Sequence, residues 1–148
     1  MYRHTKSAQA KSWLAAGLTG FKQPDLIAES LNLIKTKDVK LQEVISWIAY
    51  SFSNRHAKDV TWTWLKDNWD WLVEKFGTDI MTFSYFPRIA AGPFASEEFA
   101  QDYAEFFKKV DTTGIQRSVD QGLESILWHA EWKQRDEQKI IEYFKNSK

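Results

Sequence analysis

The stretch TWTWLKDNWDWLVEKFG, from Thr61 to Gly77, decides the fold because it places large apolar side chains on two sides of one helix. When the helix that contains it is projected at about 100° per residue, one broad face carries Trp62, Leu65, Trp69, Leu72, Val73 and Phe76. The opposite side carries Val60, Trp64 and Trp71. A helix at the edge of a simple bundle needs one apolar stripe, whereas a helix stacked between neighbours in a layered array needs two. The pattern therefore predicts a solenoid of antiparallel helix pairs.

The helix before this stretch has the same two-sided character. Its main stripe consists of Leu41, Val44, Ile45, Ile48 and Phe52, while Trp47 and Tyr50 lie away from that stripe. Contiguous apolar faces that are left bare usually mark contacts with another domain or protein. We therefore predict that Trp47, Trp64 and Trp71 are residues of a domain interface. An aromatic platform for a ligand is the alternative use of the tryptophans, but their division between opposite faces favours packing.

Helical periodicity continues along the whole chain, and no stretch shows the convincing period of two that is typical of a strand. Glycine and proline residues separate about seven helical segments. Their predicted bounds are residues 5–17, 24–35, 39–54, 57–76, 82–91, 96–110 and 115–145. The last segment has apolar side chains at both ends and a polar stretch between them, so we expect its middle turns to be solvated. The sequence predicts a single all-α helical-repeat domain over residues 1–148.

The composition excludes several classes of function. Twenty Lys and Arg residues balance twenty Asp and Glu residues, so the chain lacks the basic excess that binding to a phosphate backbone requires, and we expect no nucleic-acid partner. The absence of cysteine excludes thiol catalysis and thiolate zinc sites. The chain has no apolar run of the roughly 18 residues that a membrane span needs and no recognisable signal peptide. We therefore expect a cytoplasmic protein that does not enter a membrane.

Catalytic motifs are also missing from the sequence. A zinc peptidase helix needs two histidines one turn apart with a glutamate as base, and His4, His56 and His129 each lack a second histidine nearby. There is no Gly-x-Ser-x-Gly turn for a nucleophilic serine and no glycine-rich phosphate loop. We predict that this chain holds neither a catalytic residue nor a metal ligand. His129, which follows Trp128, is interpreted as a residue at the rim of a packing surface.

The order of several short motifs resembles a known family. The pattern W-x-W-x-x-x-N-W-x-x-L, which begins at Trp62, is followed by Phe86-Pro87-Arg88-Ile89, Phe94-Ala95-Ser96, Phe106-Phe107 and Gln121-x-x-Glu124-x-Ile126. Together these motifs resemble the C-terminal helical domain of the aminopeptidase N family of zinc metallopeptidases. The similarity extends over about residues 25–144.

The resemblance implies a non-catalytic role. In that family, zinc and the catalytic residues belong to a separate thermolysin-like domain, whose His-Glu-x-x-His and Gly-x-Met-Glu-Asn motifs are absent from this sequence. The C-terminal domain is a right-handed, HEAT- or armadillo-like superhelix that packs on the catalytic domain and encloses the chamber for peptide substrates. The chain is then expected to be a piece of a larger aminopeptidase, with the catalytic domain as its intramolecular partner and at most peripheral contact with peptide.

Arg88 is the one residue for which the resemblance suggests a contact with substrate. It follows Pro87 near a helix break, where its guanidinium could enter the chamber and bind a peptide carboxylate in a bidentate manner. The alternative is a structural arginine that binds backbone carbonyls exposed at the break. For the chain as a whole, the alternative function is a free-standing helical-repeat module that binds a protein or a peptide.

Overall fold

The computed structural model describes residues 2–5 and 7–146, and every regular element among them is helical. A short 3₁₀ helix at Tyr2–His4 precedes nine α-helices. In chain order the α-helices are α1 Ala8–Leu18, α2 Pro24–Leu33, α3 Leu41–Ser53, α4 Lys58–Asp67, α5 Trp69–Phe76, α6 Ile80–Phe83, α7 Tyr85–Ala91, α8 Glu97–Lys109 and α9 Gln116–Asn146. The prediction of an all-α domain is confirmed. None of the described helices combines the length and the apolar character needed to cross a membrane.

The helix predicted over residues 57–76 is in fact two helices that meet at Asn68. The backbone of Asn68, with φ −113° and ψ 17°, departs from helical geometry. Its side-chain amide donates to the Trp64 carbonyl over 2.7 Å, and its amide oxygen accepts from the Lys35 ammonium over 2.7 Å. Backbone hydrogen bonds still join Asn68 to Trp64 and Leu72 to Asn68. The break is therefore a local irregularity that leaves the two apolar faces in register.

A second break divides the segment predicted over residues 82–91. Helix α6 ends at Phe83, and α7 begins at Tyr85. Pro87 lies in the first turn of α7, where its missing N–H is tolerated. The same missing N–H leaves the Phe83 carbonyl without its helical partner, so one continuous helix through this segment is disfavoured.

The helices lie in two layers. One layer runs from α1 through α3 and α7 to α9, since each of these helices packs against the next. The other layer begins with α2 against α4 and continues to α8 through contacts of Trp62 with Phe99 and Tyr103. Helix α3 packs on α4, and α8 packs on α9, which joins the layers. This arrangement is compatible with the predicted α-solenoid, while the right-handed sense of a superhelix stays a prediction.

The last helix extends well beyond the body of the domain. Its 31 residues correspond to about 46 Å at 1.5 Å per residue. The first turns bury Val119, Gly122 and Ile126 against α7 and α8, whereas almost every described residue after Ala130 is exposed. The predicted solvation of the middle turns is confirmed.

Candidate interaction surface

Trp64 and Trp71 form a half-buried aromatic pair on one side of α4 and α5. Their ring centroids are 6.4 Å apart, and the rings meet edge to face at 74°. The Lys35 ammonium lies 5.8 Å from the Trp71 ring centroid while it donates to Asn68. We call this group, Lys35, Trp64, Asn68 and Trp71, the Trp64 surface. It presents two large, partly accessible aromatic rings, a residue type that is enriched in protein interfaces.

Trp62 and Trp69 lie on the other side of the same two helices, inside the core. Both are buried, and both contact Phe106 and Phe107 of α8. The division of the four tryptophans between opposite faces is therefore as the helical projection predicts. It makes a single platform from all four impossible.

The indole N–H of Trp62 donates to a carboxylate oxygen of Asp102 over 2.6 Å. The Lys66 ammonium donates to both oxygens of the same carboxylate, over 2.9 and 3.0 Å. Desolvation alone would raise the pKa of Asp102, but the hydrogen bonds from Trp62 and Lys66 outweigh it and hold that pKa below its ordinary value. The charged form of Asp102 therefore stabilises the fold.

This lowered pKa predicts how stability depends on pH. A carboxyl whose pKa is lower in the folded state contributes stability above its unfolded pKa, and the contribution is lost as pH falls through the folded value. In urea titrations of the chain at about pH 6 and about pH 3, we expect Asp102→Asn to be less stable than the parent at the higher pH. The difference should shrink at the lower pH. An equal difference in stability at the two pH values would contradict the lowered pKa of Asp102. The control variant is Asp25→Asn, in the exposed first turn of α2.

Trp47 is a core residue, and its prediction as an interface residue is wrong. Only 1% of its surface is exposed, because the 3₁₀ helix covers its face of α3. The Trp47 indole N–H donates to the Tyr2 hydroxyl over 3.3 Å, and that hydroxyl donates to Glu43 over 3.0 Å. Burial raises the pKa of Tyr2 to about 12, so this hydroxyl stays protonated at neutral pH. The one feature of the sequence that could have pointed to such a cover is an aromatic residue, Tyr2, near its start.

Arg88 lies on the exposed side of α7. Its guanidinium carbon is 4.8 Å from the centroid of the Tyr85 ring one turn earlier, which orients the side chain by a cation–π contact. Met81 on α6 is also exposed. In the described part of the chain no hydrogen bond joins the Arg88 guanidinium to a backbone carbonyl, so the structural alternative of carbonyl binding has no support. The predicted contact with a peptide carboxylate stays a prediction.

The three histidines are far from forming a common site. The ring of His56 accepts a hydrogen bond from the Arg55 side chain over 3.3 Å. The ring of His129 lies 5.2 Å from that of Trp128 and is partly buried, as expected for a residue at a packing rim. Over residues 2–5 and 7–146 no three His, Asp or Glu side chains are grouped so that they could hold a metal ion.

Comparison with known proteins places this chain in a family. The family model of the ERAP1-like C-terminal domain matches residues 1–127. Human glutamyl aminopeptidase is 31% identical over 147 residues, and mouse glutamyl aminopeptidase is 33% identical over 147 residues. Aminopeptidase M1-A of Oryza sativa subsp. japonica is 29% identical over 132 residues. These alignments cover 98%, 97% and 89% of this chain.

The same alignments cover only a small part of each relative. The chain spans about 15% of the length of these curated relatives. Each of the three carries the word aminopeptidase in its name, and what this chain shares with them is the C-terminal domain. The resemblance noted in the sequence is thus confirmed, and the chain belongs to the family of ERAP1-like C-terminal domains.

Proposed function

We propose that this chain is the non-catalytic C-terminal domain of a zinc-dependent aminopeptidase. The observation that carries the proposal is the family match over residues 1–127, together with relatives that are aminopeptidases of much greater length. Zinc and the catalytic groups belong to another domain of the parent protein, which removes N-terminal residues from peptides in the cytoplasm. This chain is one HEAT-like helical domain that packs on the catalytic domain and closes the peptide chamber.

The Trp64 surface is the contact with the catalytic domain in this proposal. Trp64 and Trp71 are large and only half-buried within the chain, so a partner that covers them gains apolar burial at about 25 cal/mol per Å². Their edge-to-face packing and the bridge from Lys35 to Asn68 hold the rings in one arrangement before contact. A preorganised surface loses less side-chain entropy on association.

The test is association of this chain with the separately expressed catalytic portion of its parent. We expect a stoichiometric complex by sedimentation, with aminopeptidase activity toward peptides restored on mixing. The double variant Trp64→Asp/Trp71→Asp should weaken the complex by about a hundredfold, since central aromatic contacts often contribute 2 kcal/mol or more. Trp13→Asp, which alters an exposed tryptophan on α1, should leave the complex intact. Hydrolysis by the 148-residue chain alone would refute the non-catalytic role.

Arg88 gives a prediction about substrate length. In the full parent protein, Arg88→Ala should raise KM for longer peptides by at least about tenfold, because the loss of a charge-assisted, bidentate contact with a carboxylate costs about 1.5 kcal/mol or more. Hydrolysis of an aminoacyl-nitroanilide, which has no distant carboxylate, should be unchanged. Arg117→Ala, at an exposed position of α9, is the matched control. An equal loss of activity toward longer peptides and toward the nitroanilide would contradict a contact between Arg88 and the substrate carboxylate.

An independent peptide-binding module is the second candidate. A groove of about 520 Å³ lies between α1, α2 and the segment that follows α2. It is lined by Leu14, Leu18, Leu33 and Val39, with the Arg3–Asp38 ion pair at its edge. Its apolar floor and charged rim suit an amphipathic peptide helix. Saturable binding of such a peptide to the chain, together with no affinity for a catalytic domain, would favour this candidate.

A further inference from the structure

Arg88 carries a charge that no acidic group of the chain neutralises. In the part of the chain that the structure describes, no carboxylate forms an ion pair with its exposed guanidinium. By contrast, the guanidinium of Arg3 lies 2.8 Å from a carboxylate oxygen of Asp38. An arginine without an internal acceptor keeps its N–H donors available for a group outside the chain.

The ring of Tyr85 is the group that holds this guanidinium. The two residues are three positions apart on α7, so their side chains are neighbours on the helix surface. The guanidinium carbon of Arg88 lies 4.8 Å from the centroid of the Tyr85 ring. A contact with the π face of a ring restricts the guanidinium but uses none of its N–H donors. Because Tyr85 is itself 45% exposed, the pair is open to a ligand from solvent.

Helix α7 gives the pair a rigid support. Its buried side consists of Phe86, Pro87, Ala90 and Ala91. The Tyr103 hydroxyl of α8 donates to the Pro87 carbonyl over 3.2 Å, which fixes the first turn of α7 to the neighbouring layer. A pair of side chains on a packed helix holds its geometry more precisely than a pair on a loop.

We propose that Tyr85 is a positioning residue, which strengthens the contact of Arg88 with the carboxylate of a longer peptide substrate. This inference rests on the proposed contact of Arg88 with substrate and adds the residue that prepares it. An exposed arginine that rotates freely loses side-chain conformational entropy when it binds a ligand. The Tyr85 ring restricts Arg88 before the substrate arrives, so less entropy is lost on binding.

NMR spectroscopy of the 148-residue chain tests the contact without any catalytic readout. Protons that lie above an aromatic ring are shifted upfield, so the δ protons of Arg88 should be shifted in the parent chain. The shift should be lost in Tyr85→Leu and kept in Tyr85→Phe. The matched control is Tyr143→Leu, which removes another exposed tyrosine, on α9, and should leave the Arg88 signals unchanged. Identical Arg88 signals in Tyr85→Leu and the parent chain would overturn the positioning role.

Kinetics of the full parent protein test the consequence for substrate. Tyr85→Leu should raise KM for longer peptides by about two- to fivefold, which corresponds to 0.5–1 kcal/mol for an exposed cation–π contact at 1.4 kcal/mol per tenfold. The value of kcat, and hydrolysis of an aminoacyl-nitroanilide, should be unchanged, because the ring affects only binding of the distant carboxylate. Tyr85→Phe should keep the parent KM, since the ring and not the hydroxyl makes the contact. A KM raised equally in Tyr85→Phe and Tyr85→Leu would contradict this role of the ring.

The double variant Tyr85→Leu/Arg88→Ala separates positioning from a direct contact of Tyr85 with substrate. If Tyr85 acts through Arg88, the double variant should have the same KM for longer peptides as Arg88→Ala alone. Additive increases in KM would overturn the positioning role and leave the proposed contact of Arg88 in place. If Arg88→Ala itself left KM for longer peptides unchanged, both that contact and the role of Tyr85 would be wrong.

Discussion

Replacement of Trp62 by alanine should lower the free energy of unfolding by about 3–5 kcal/mol, the range for removal of a buried aromatic side chain. Trp62 is 4% exposed and lies between the layers, where its ring stacks on Tyr103 and meets Phe99 and Phe106 edge to face. Its removal leaves a cavity among these rings and leaves Asp102 without its indole donor. Since a domain of this size has a total stability of only about 5–15 kcal/mol, the loss should be large.

Urea denaturation followed by far-UV circular dichroism measures this effect. Trp62→Phe keeps an aromatic ring in place but removes the donor to Asp102, so it should cost less than Trp62→Ala. Trp13→Ala is the control for loss of an indole, because Trp13 is 68% exposed, and it should change stability by no more than about 0.5 kcal/mol. If Trp62→Ala and Trp13→Ala had equal effects, Trp62 would not be the contact that joins α4 to α8.

The two-sided tryptophan pattern could be predicted from the sequence because helical periodicity is a local property. The side chains of Trp62 and Trp69 differ from those of Trp64 and Trp71 in angle around the helix, and that angle follows from residue number alone. The break at Asn68, between Trp64 and Trp69, was not predicted. Its stabilising partner is Lys35, which lies just after α2 and is distant in sequence. Hydrogen bonds that continue across the break explain why the pattern survived it.

Trp47 shows the limit of the same reasoning. Its position outside the main stripe of α3 correctly indicated that a second surface had to cover it. Periodicity does not indicate whether the cover comes from another domain or from the same chain. In the structure the cover is Tyr2, which lies in the 3₁₀ helix before α1, 45 residues away from Trp47 in the sequence. Such long-range contacts within one chain cannot be inferred from spacing along a helix.

Arg88 was singled out from its motif, and the structure adds the Tyr85 contact that orients it. The sequence could not show this contact, because the break at Ser84 determines where α7 begins and hence which side chains share its exposed side. The exposure of the apolar side chains in the second half of α9 likewise followed only from the structure, in which the body of the domain packs on the first turns of α9. Exposure depends on which surfaces the other helices cover.

Gly122→Ala should destabilise the fold by about 2–4 kcal/mol, although alanine is ordinarily the better residue inside a helix. A methyl group at this position of α9 would overlap the hydroxyl and the adjoining ring carbon of Tyr103. That hydroxyl is buried and donates to the carbonyl oxygens of Pro87 and Val119, which lie 3.2 and 3.3 Å away. Burial also raises the pKa of Tyr103. The added methyl therefore strains a packed contact and displaces a buried donor from its acceptors.

Gly17→Ala supplies a control of opposite sign. A methyl group at Gly17 meets nothing within 4 Å, so this change in α1 should stabilise the chain by about 0.5–1 kcal/mol through backbone entropy and helix propensity. Tyr103→Phe removes the overlapping hydroxyl, and in that background Gly122→Ala should cost measurably less than in the parent chain. Urea denaturation of the parent chain, the two single variants and the double variant Tyr103→Phe/Gly122→Ala gives the coupling energy between the two positions. If Gly122→Ala stabilised the chain as Gly17→Ala does, α9 would not approach α8 closely enough for Tyr103 to bridge α7 and α9.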